Sequence, residues 1–139
     1  MAYWLFKSEP DVLSFDDLVT KGKAGDEWTG IRNYQARNNM RKMALGERGF
    51  YYHSNIGKAV VGTVEVCKLI HPDSTADIPA WECVDIRALK PMARVITLEE
   101  IKTVKALNEM VLVKNSRLSV QPVTEAEWKL ICELGGIAP

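Results

Sequence analysis

Between Glu27 and Asn39 the sequence reads EWTGIRNYQARNN. In thirteen positions it gathers Trp28, Gly30, Tyr34, two arginines (Arg32, Arg37) and three asparagines (Asn33, Asn38, Asn39), more flat and hydrogen-bonding side chains than core packing requires. Trp and Tyr offer apolar faces on which a planar ring can stack, and Asn carries donor and acceptor together on a short side chain. That mixture suits one wall of a pocket for a flat, polar-edged ring such as a nucleobase. The competing reading is a loop in which Trp28 plugs the core, Gly30 makes a turn and the arginines are solvated.

Three further stretches carry polar groups that strand and turn packing does not call for: Lys7-Ser8-Glu9-Pro10, Tyr51-Tyr52-His53-Ser54, and Ser116 to Pro122 with Arg117 and Ser119. If they meet at Trp28, the site has an aromatic face from Tyr52 or Tyr34, hydroxyls from Ser8, Thr29, Ser54 and Ser119, and charge from Lys7, Glu9 and Arg117. Catalytic readings are weaker. His53 has polar company in Ser54, but it is more often a hydrogen-bonded structural histidine than a base. His71-Pro72-Asp73 is too thin for a metal site, and Cys67 and Cys83 fall inside apolar strands. Gly46 to Gly49 lacks the Lys and Ser or Thr spacing of a phosphate loop. No catalytic residue, metal or cofactor is therefore expected.

The elements that would position these residues follow from patterning. YWLFKS reads as a first strand running into a loop at Pro10. Ser14 with Asp17 opens a short helix closed near Gly22, and good helix formers run from Asn33 to Ala44, ending before Gly46. Gly49 to Ser54 and Ala59 to Ile70 read as strands joined by a turn at Asn55 to Lys58. Trp81 to Leu89 alternates with a period of two. Thr97 with Glu100 and Thr124 with Glu127 are capping-box signals for two more helices, the second ending at Gly135 and Gly136. Between them MVLVKNSRLSVQP predicts a short strand and a turn. Trp4, Trp81 and Trp128 are assigned to the core, Trp128 sharing a helical face with Ile131 and Cys132. Early, middle and late strands with short helices between them give an α+β class, a small mixed barrel decorated by helices.

The 139 residues, 47% hydrophobic and 26% charged, suit a single domain over residues 1–139. Net charge is zero, so no global cationic field holds the chain on nucleic acid. Charge is nonetheless uneven: Arg32, Arg37, Arg41, Lys42 and Arg48 follow one another with Glu47 alone among them, a local basic patch or a solvated face. Three cysteines without CxxC spacing, and no apolar run long enough to span a bilayer, lead to an expectation of free thiols in a cytoplasmic protein.

Taken in order, YWLFKSEP with SFDDL, WTGIRNYQARN, FYYHSN, VVGTVEV and SRLSVQPVT cover nearly the whole chain. The sequence resembles the EVE-domain family, related to the YTH and ASCH domains, whose fold is the PUA-like barrel. The resemblance implies a non-enzymatic binding module for modified bases, above all cytosine derivatives in DNA, in a bacterial restriction or anti-phage setting. In YTH domains a Lys-Ser-Asn step and a Trp-Ser step help form the cage around a methylated adenine. Lys7-Ser8-Glu9 and Trp28-Thr29 are similar in position and type. Glu9 departs from that Asn, and a carboxylate suits the exocyclic amine of cytosine. The expected ligand set is Lys7, Ser8, Glu9, Trp28, Thr29, Asn33, Tyr34, Tyr52, His53, Ser54, Arg117 and Ser119, with Arg32, Arg37 and Arg41 on phosphates. An RNA-binding module and an enzyme on a nucleobase, with Glu9 or His53 as base, are the alternatives.

Overall fold

The structure is a computed structural model describing residues 1–139. Its first strand, β1 (Tyr3–Ser8), alternates in the way the pleat demands: Trp4 and Phe6 join one apolar cluster and Leu5 the other. β3 (Arg48–His53) does the same, with Tyr51 on the Trp4 side and Phe50 and Tyr52 on the opposite side. The sheet therefore has two buried faces.

Six strands make one mixed sheet in the order β2-β5-β4-β3-β1-β6. Here β2 is Asp26–Glu27, β4 Ala59–Pro72, β5 Glu82–Thr97 and β6 Val120–Val123. β1 runs parallel to β3, and every other pair is antiparallel. The long β4–β5 ribbon carries several register shifts, which bend it and change which face its side chains serve: Val84 and Ile86 pack in the first cluster, Met92 and Ile96 in the second. β5 continues eight residues past the expected end at Leu89. Pro91 is tolerated there because β2 pairs only with Asp85 and Ile86, leaving that side of β5 free of a neighbour at Pro91.

Helix α1 is Phe15–Thr20, with Ser14 and Asp17 forming a complete capping box. Helix α2 spans Tyr34–Arg41 and bridges the two ends of the curled sheet, touching β5 and β6. Ala36 and Met40 enter the first cluster from α2, and Asn39 Nδ2 donates to the Val120 carbonyl at 2.8 Å. The second face is covered by α3 (Leu98–Thr103), α4 (Val111–Lys114) and α5 (Glu125–Leu134). Thr124 and Glu127 form the expected capping box of α5. At α3 only half of it forms: Thr97 accepts the Glu100 N–H, while the Glu100 carboxylate pairs with Arg94.

Two expectations are corrected. Val111 to Lys114 is helical, despite its β-branched residues, because Val113 N–H and Lys114 N–H close onto the Met110 carbonyl; the strand falls on Val120–Val123, where β1 offers a free edge. Trp81 is not a core residue. It is half-buried and lies against the exposed Tyr34, ring centroids 4.8 Å apart. No helix is long and apolar enough to cross a membrane.

Candidate functional site

Strand pairing itself gathers three of the four polar stretches. Parallel pairing sets Lys7 beside Tyr52 and Ser8 beside His53, and the Ser8 carbonyl accepts the Ser54 N–H at 2.9 Å. From the other side of β1, Lys7 N–H donates to the Ser119 carbonyl at 2.9 Å and Lys7 Nζ to the Ser116 carbonyl at 2.7 Å. One end of the sheet thus holds Lys7, Ser8, Tyr52, His53, Ser54, Ser116 and Ser119.

The Trp28 loop arrives from the opposite side of the sheet. Trp28 N–H donates to the Val84 carbonyl at 2.9 Å, and Gly30 N–H, at the only residue of this loop with positive φ (80°), donates to Asp73 Oδ2 at 2.9 Å. The indole packs edge-on against Phe6 and Tyr51, centroids 5.5 and 5.6 Å away, and the residue is only 5% exposed. Trp28 is therefore core and pocket wall at once. Its Nε1 is buried without a hydrogen-bond partner.

Against that indole lies a cavity of about 110 Å³ lined by Lys7, Ser8, Val12, Leu13, Trp28, Thr29 and Ile31. The volume is well under the roughly 300–1,000 Å³ of sites for drug-sized ligands, a size for one ring and not a whole nucleotide. A neighbouring depression of about 180 Å³ shares Lys7 and includes Tyr52, Ser54, Asn55, Lys58 and Ser116. Tyr52 thus belongs to a second hollow and not opposite Trp28, because adjacent strand residues face opposite ways. The aromatic partners of Trp28 are Phe6 and Tyr51, not Tyr52, Tyr34 or Trp4.

Other expected ligand residues have protein partners elsewhere. Glu9 is exposed and accepts from Asn55 Nδ2 at 2.8 Å. Asn33 caps α2, its Oδ1 accepting the Ala36 N–H at 2.9 Å. His53 Nε2 accepts the Phe15 N–H at 3.1 Å at the start of α1, so the ring is an acceptor there and burial holds its pKa below the ordinary value. Tyr34 joins Trp81, Arg32 and Arg37 in an exposed ladder, with the Arg37 guanidinium 4.8 Å over Tyr34 and that of Arg32 5.7 Å over Trp81. Arg32 pairs with Asp73 at 3.1 Å, Arg37 donates to the Ala80 carbonyl at 2.8 Å, and Arg41 pairs with Glu82. Arg117 lies exposed on the Ser116–Ser119 turn.

Burial lowers the Lys7 pKa, and its ammonium leans 5.7 Å over the Tyr52 ring while bonded to Ser116. Tyr51, its hydroxyl donating to the Leu13 carbonyl, is pushed up to about 12 by burial and stays a neutral donor. The Trp28 cavity is accordingly apolar on the Val12, Leu13 and Ile31 side and polar on the Lys7, Ser8 and Thr29 side.

The sequence pattern of the EVE domain matches residues 2–134. The chain belongs to the EVE-domain family. Protein Atu2648 from Agrobacterium tumefaciens is 54% identical, with 99% of this chain and 95% of that one covered at a TM-score of 0.96. The human THYN1 protein, solved in complex with DNA containing 5-methylcytosine, is 34% identical over 100% of both chains at a TM-score of 0.91. A YTH domain from Zygosaccharomyces rouxii, 17% identical at a TM-score of 0.58, shares the fold alone. The EVE domain here is a PUA-like fold.

Sequence reasoning missed several residues of this EVE domain that line the cavity or hold Trp28 and its loop beside it. Tyr51 was available from strand alternation, since it sits one residue out of phase with Tyr52. Val12, Leu13 and Ile31 are ordinary apolar residues in loops, and nothing local marks them. Asp73, with its side chain 1% exposed, gave itself away only as part of His71-Pro72-Asp73, whose role is to hold the Trp28 loop.

Proposed function

We propose that this EVE domain is a non-enzymatic reader of a modified base in a nucleic acid, with a 5-modified cytosine in DNA as its ligand. The observation that carries the reading is the cavity against Trp28, formed by the Lys7-Ser8 and Trp28-Thr29 steps, in a chain whose relative THYN1 was solved with 5-methylcytosine DNA. The base leaves the stack, at a cost of a few kcal/mol, and enters the cavity beside the indole. Stacking contributes about 1–3 kcal/mol per base, which offsets extrusion and leaves tight binding to other contacts. Val12, Leu13 and Ile31 receive the 5-substituent, as apolar side chains receive the thymine methyl in the major groove. The hydroxyls of Ser8 and Thr29 and the Lys7 ammonium meet the polar edge.

Backbone phosphates supply the rest. The Arg32, Arg37, Tyr34 and Trp81 ladder with Arg41 offers cations and aromatic faces on one side, and Arg117 a further cation beside Ser119. Glu9, Ser54 and His53 line the approach, not the cavity, and Asn33 serves through the helix that carries Tyr34 and Arg37.

The test is a fluorescence titration of wild type and Trp28→Phe with oligonucleotides carrying cytosine, 5-methylcytosine, 5-hydroxymethylcytosine or N6-methyladenine at one position. Preference for a modified cytosine, reduced by filling the cavity with Ile31→Trp, supports the reading. Equal, salt-sensitive binding to all four removes it. Tighter binding of the ribose versions moves the ligand to RNA, where a 2′-hydroxyl contact makes the distinction.

A further inference from the structure

Outside the cavity, one cluster brings together three metal-binding residue types from three adjacent strands. Glu27 lies on β2, Cys83 on β5 and His71 on β4, and the β4–β5 register sets His71 opposite Cys83. Cys83 Sγ is 3.8 Å from Glu27 Oε1 and 3.9 Å from His71 Nε2, and the three donor atoms all lie within 4.8 Å of one another. Zn–S of about 2.3 Å with Zn–N and Zn–O of about 2.0–2.2 Å at tetrahedral angles puts such donors about 3.3–3.6 Å apart. The two sulfur separations exceed that by a few tenths of an ångström. Sequence spacing alone excluded a metal here, because His71-Pro72-Asp73 supplies too few donors; pairing of the strands adds Glu27 and Cys83.

The imidazole is the second observation. Its Nδ1 is 2.9 Å from the Pro72 carbonyl and its Nε2 is 2.7 Å from Asp85 Oδ1, so both ring nitrogens face acceptors. A neutral imidazole has one N–H. An imidazolium would donate to both acceptors; a neutral ring with its hydrogen on Nδ1, bound by the carbonyl as in the usual outer contact of a metal-binding histidine, instead turns its Nε2 lone pair toward the carboxylate and leaves room for a cation between them. We propose that Glu27, His71 and Cys83 bind one zinc-like divalent ion, with Asp85 turning to supply the fourth donor. The sulfur, nitrogen and oxygen mixture favours zinc over magnesium or calcium, which take oxygen ligands.

Surrounding charges agree with a cation. The Glu27 carboxylate lies against the Cys83 thiol and the Asp85 carboxylate against the His71 ring, with Asp73 on the same stretch as His71. Arg32 neutralises Asp73 alone. His71 and Asp85 side chains are 18% and 17% exposed, which leaves a way in. The ion would act on the fold's working part, since Glu27 immediately precedes Trp28 and the Trp28 N–H is held by the residue after Cys83. It would pin the loop at its first residue as Asp73 pins it at Gly30.

The experiment is titration of the chelator-treated full chain with Co²⁺, read by thiolate-to-cobalt charge transfer. One equivalent should saturate the band, Zn²⁺ should displace it, Cys83→Ser should abolish it, and His71→Gln and Glu27→Gln should each weaken binding roughly tenfold or more. Circular dichroism establishes that each variant is folded, and the His71 and Glu27 variants serve if Cys83→Ser is not. The proposal is overturned by absence of the band, by a band that survives Cys83→Ser, or by ¹⁵N spectra of the Zn²⁺-saturated protein in which His71 carries both ring protons.

Discussion

Asp73 and Gly30 are joined by a 2.9 Å hydrogen bond from the glycine N–H to the buried carboxylate. The same carboxylate accepts from the Thr75 N–H and hydroxyl and pairs with Arg32, and although burial by itself raises its pKa, these bonds together bring it down to about 2. Asp73→Ala should lower stability by about 1–3 kcal/mol, measured by urea unfolding, because it removes the hydrogen bonds and the ion pair that tie Gly30, Arg32 and Thr75 to one carboxylate. It should weaken modified-base binding further, since the Trp28 loop loses its tether. The folded pKa is depressed, so this contribution is full above about pH 4 and disappears as pH falls toward about 2.

Trp28 separates stability from binding. Trp28→Ala should cost about 3–5 kcal/mol by opening the core. Trp28→Phe loses some area but also removes the unpartnered buried Nε1, whose desolvation costs about 1–3 kcal/mol. The phenylalanine variant should therefore stay within about 1–2 kcal/mol of wild type in thermal unfolding. Loss of stacking area should still weaken its binding to a modified cytosine.

His53 gives stability a dependence on mild acid. Its Nε2 accepts the Phe15 N–H, a bond that protonation removes, and burial keeps the folded pKa below 6.5, against a smaller pull upward from Asp16. The unfolded chain then takes up the proton first. Stability should be full above about pH 6.5 and fall as pH drops through the folded pKa. His53→Ala should cost about 1 kcal/mol near neutrality and flatten this part of the pH profile, as followed by urea unfolding at several pH values.

Arg41 and Arg117 test the phosphate contacts with little risk to the fold. Arg41 has an exposed ion pair with Glu82, worth about 0–1 kcal/mol, and Arg117 is exposed. Each change to alanine should weaken DNA binding whatever the base and reduce the slope of log K against log salt by about 1. Unaltered slopes in both variants would remove these arginines from the interface.

Part of the cavity lining was legible from residue type. Lys7, Ser8, Trp28 and Thr29 line one cavity, and their residue types had marked them. Glu9 and Asn33 carried equally suggestive types, but Asn33 is claimed by the backbone of the helix it starts, and Glu9 by Asn55, which the fold brings from the turn after β3. The stretch MVLVKNSRLSVQP does hold a turn and the start of β6, but its first residues, Val111 to Lys114, form a helical turn that joins the second apolar face to β6, which their β-branched composition does not announce.

Sequence by itself determined the class of the fold, the positions of most strands and caps, and the marking of Lys7, Ser8, Trp28 and Thr29 by residue type, because these depend on period, turn residues and side-chain type within a few positions. Tertiary structure decided which aromatics meet Trp28, that Asp73 holds its loop, and that Glu27, His71 and Cys83 share one corner. Those outcomes depend on strand order and register, where a shift of one residue turns every side chain to the opposite face.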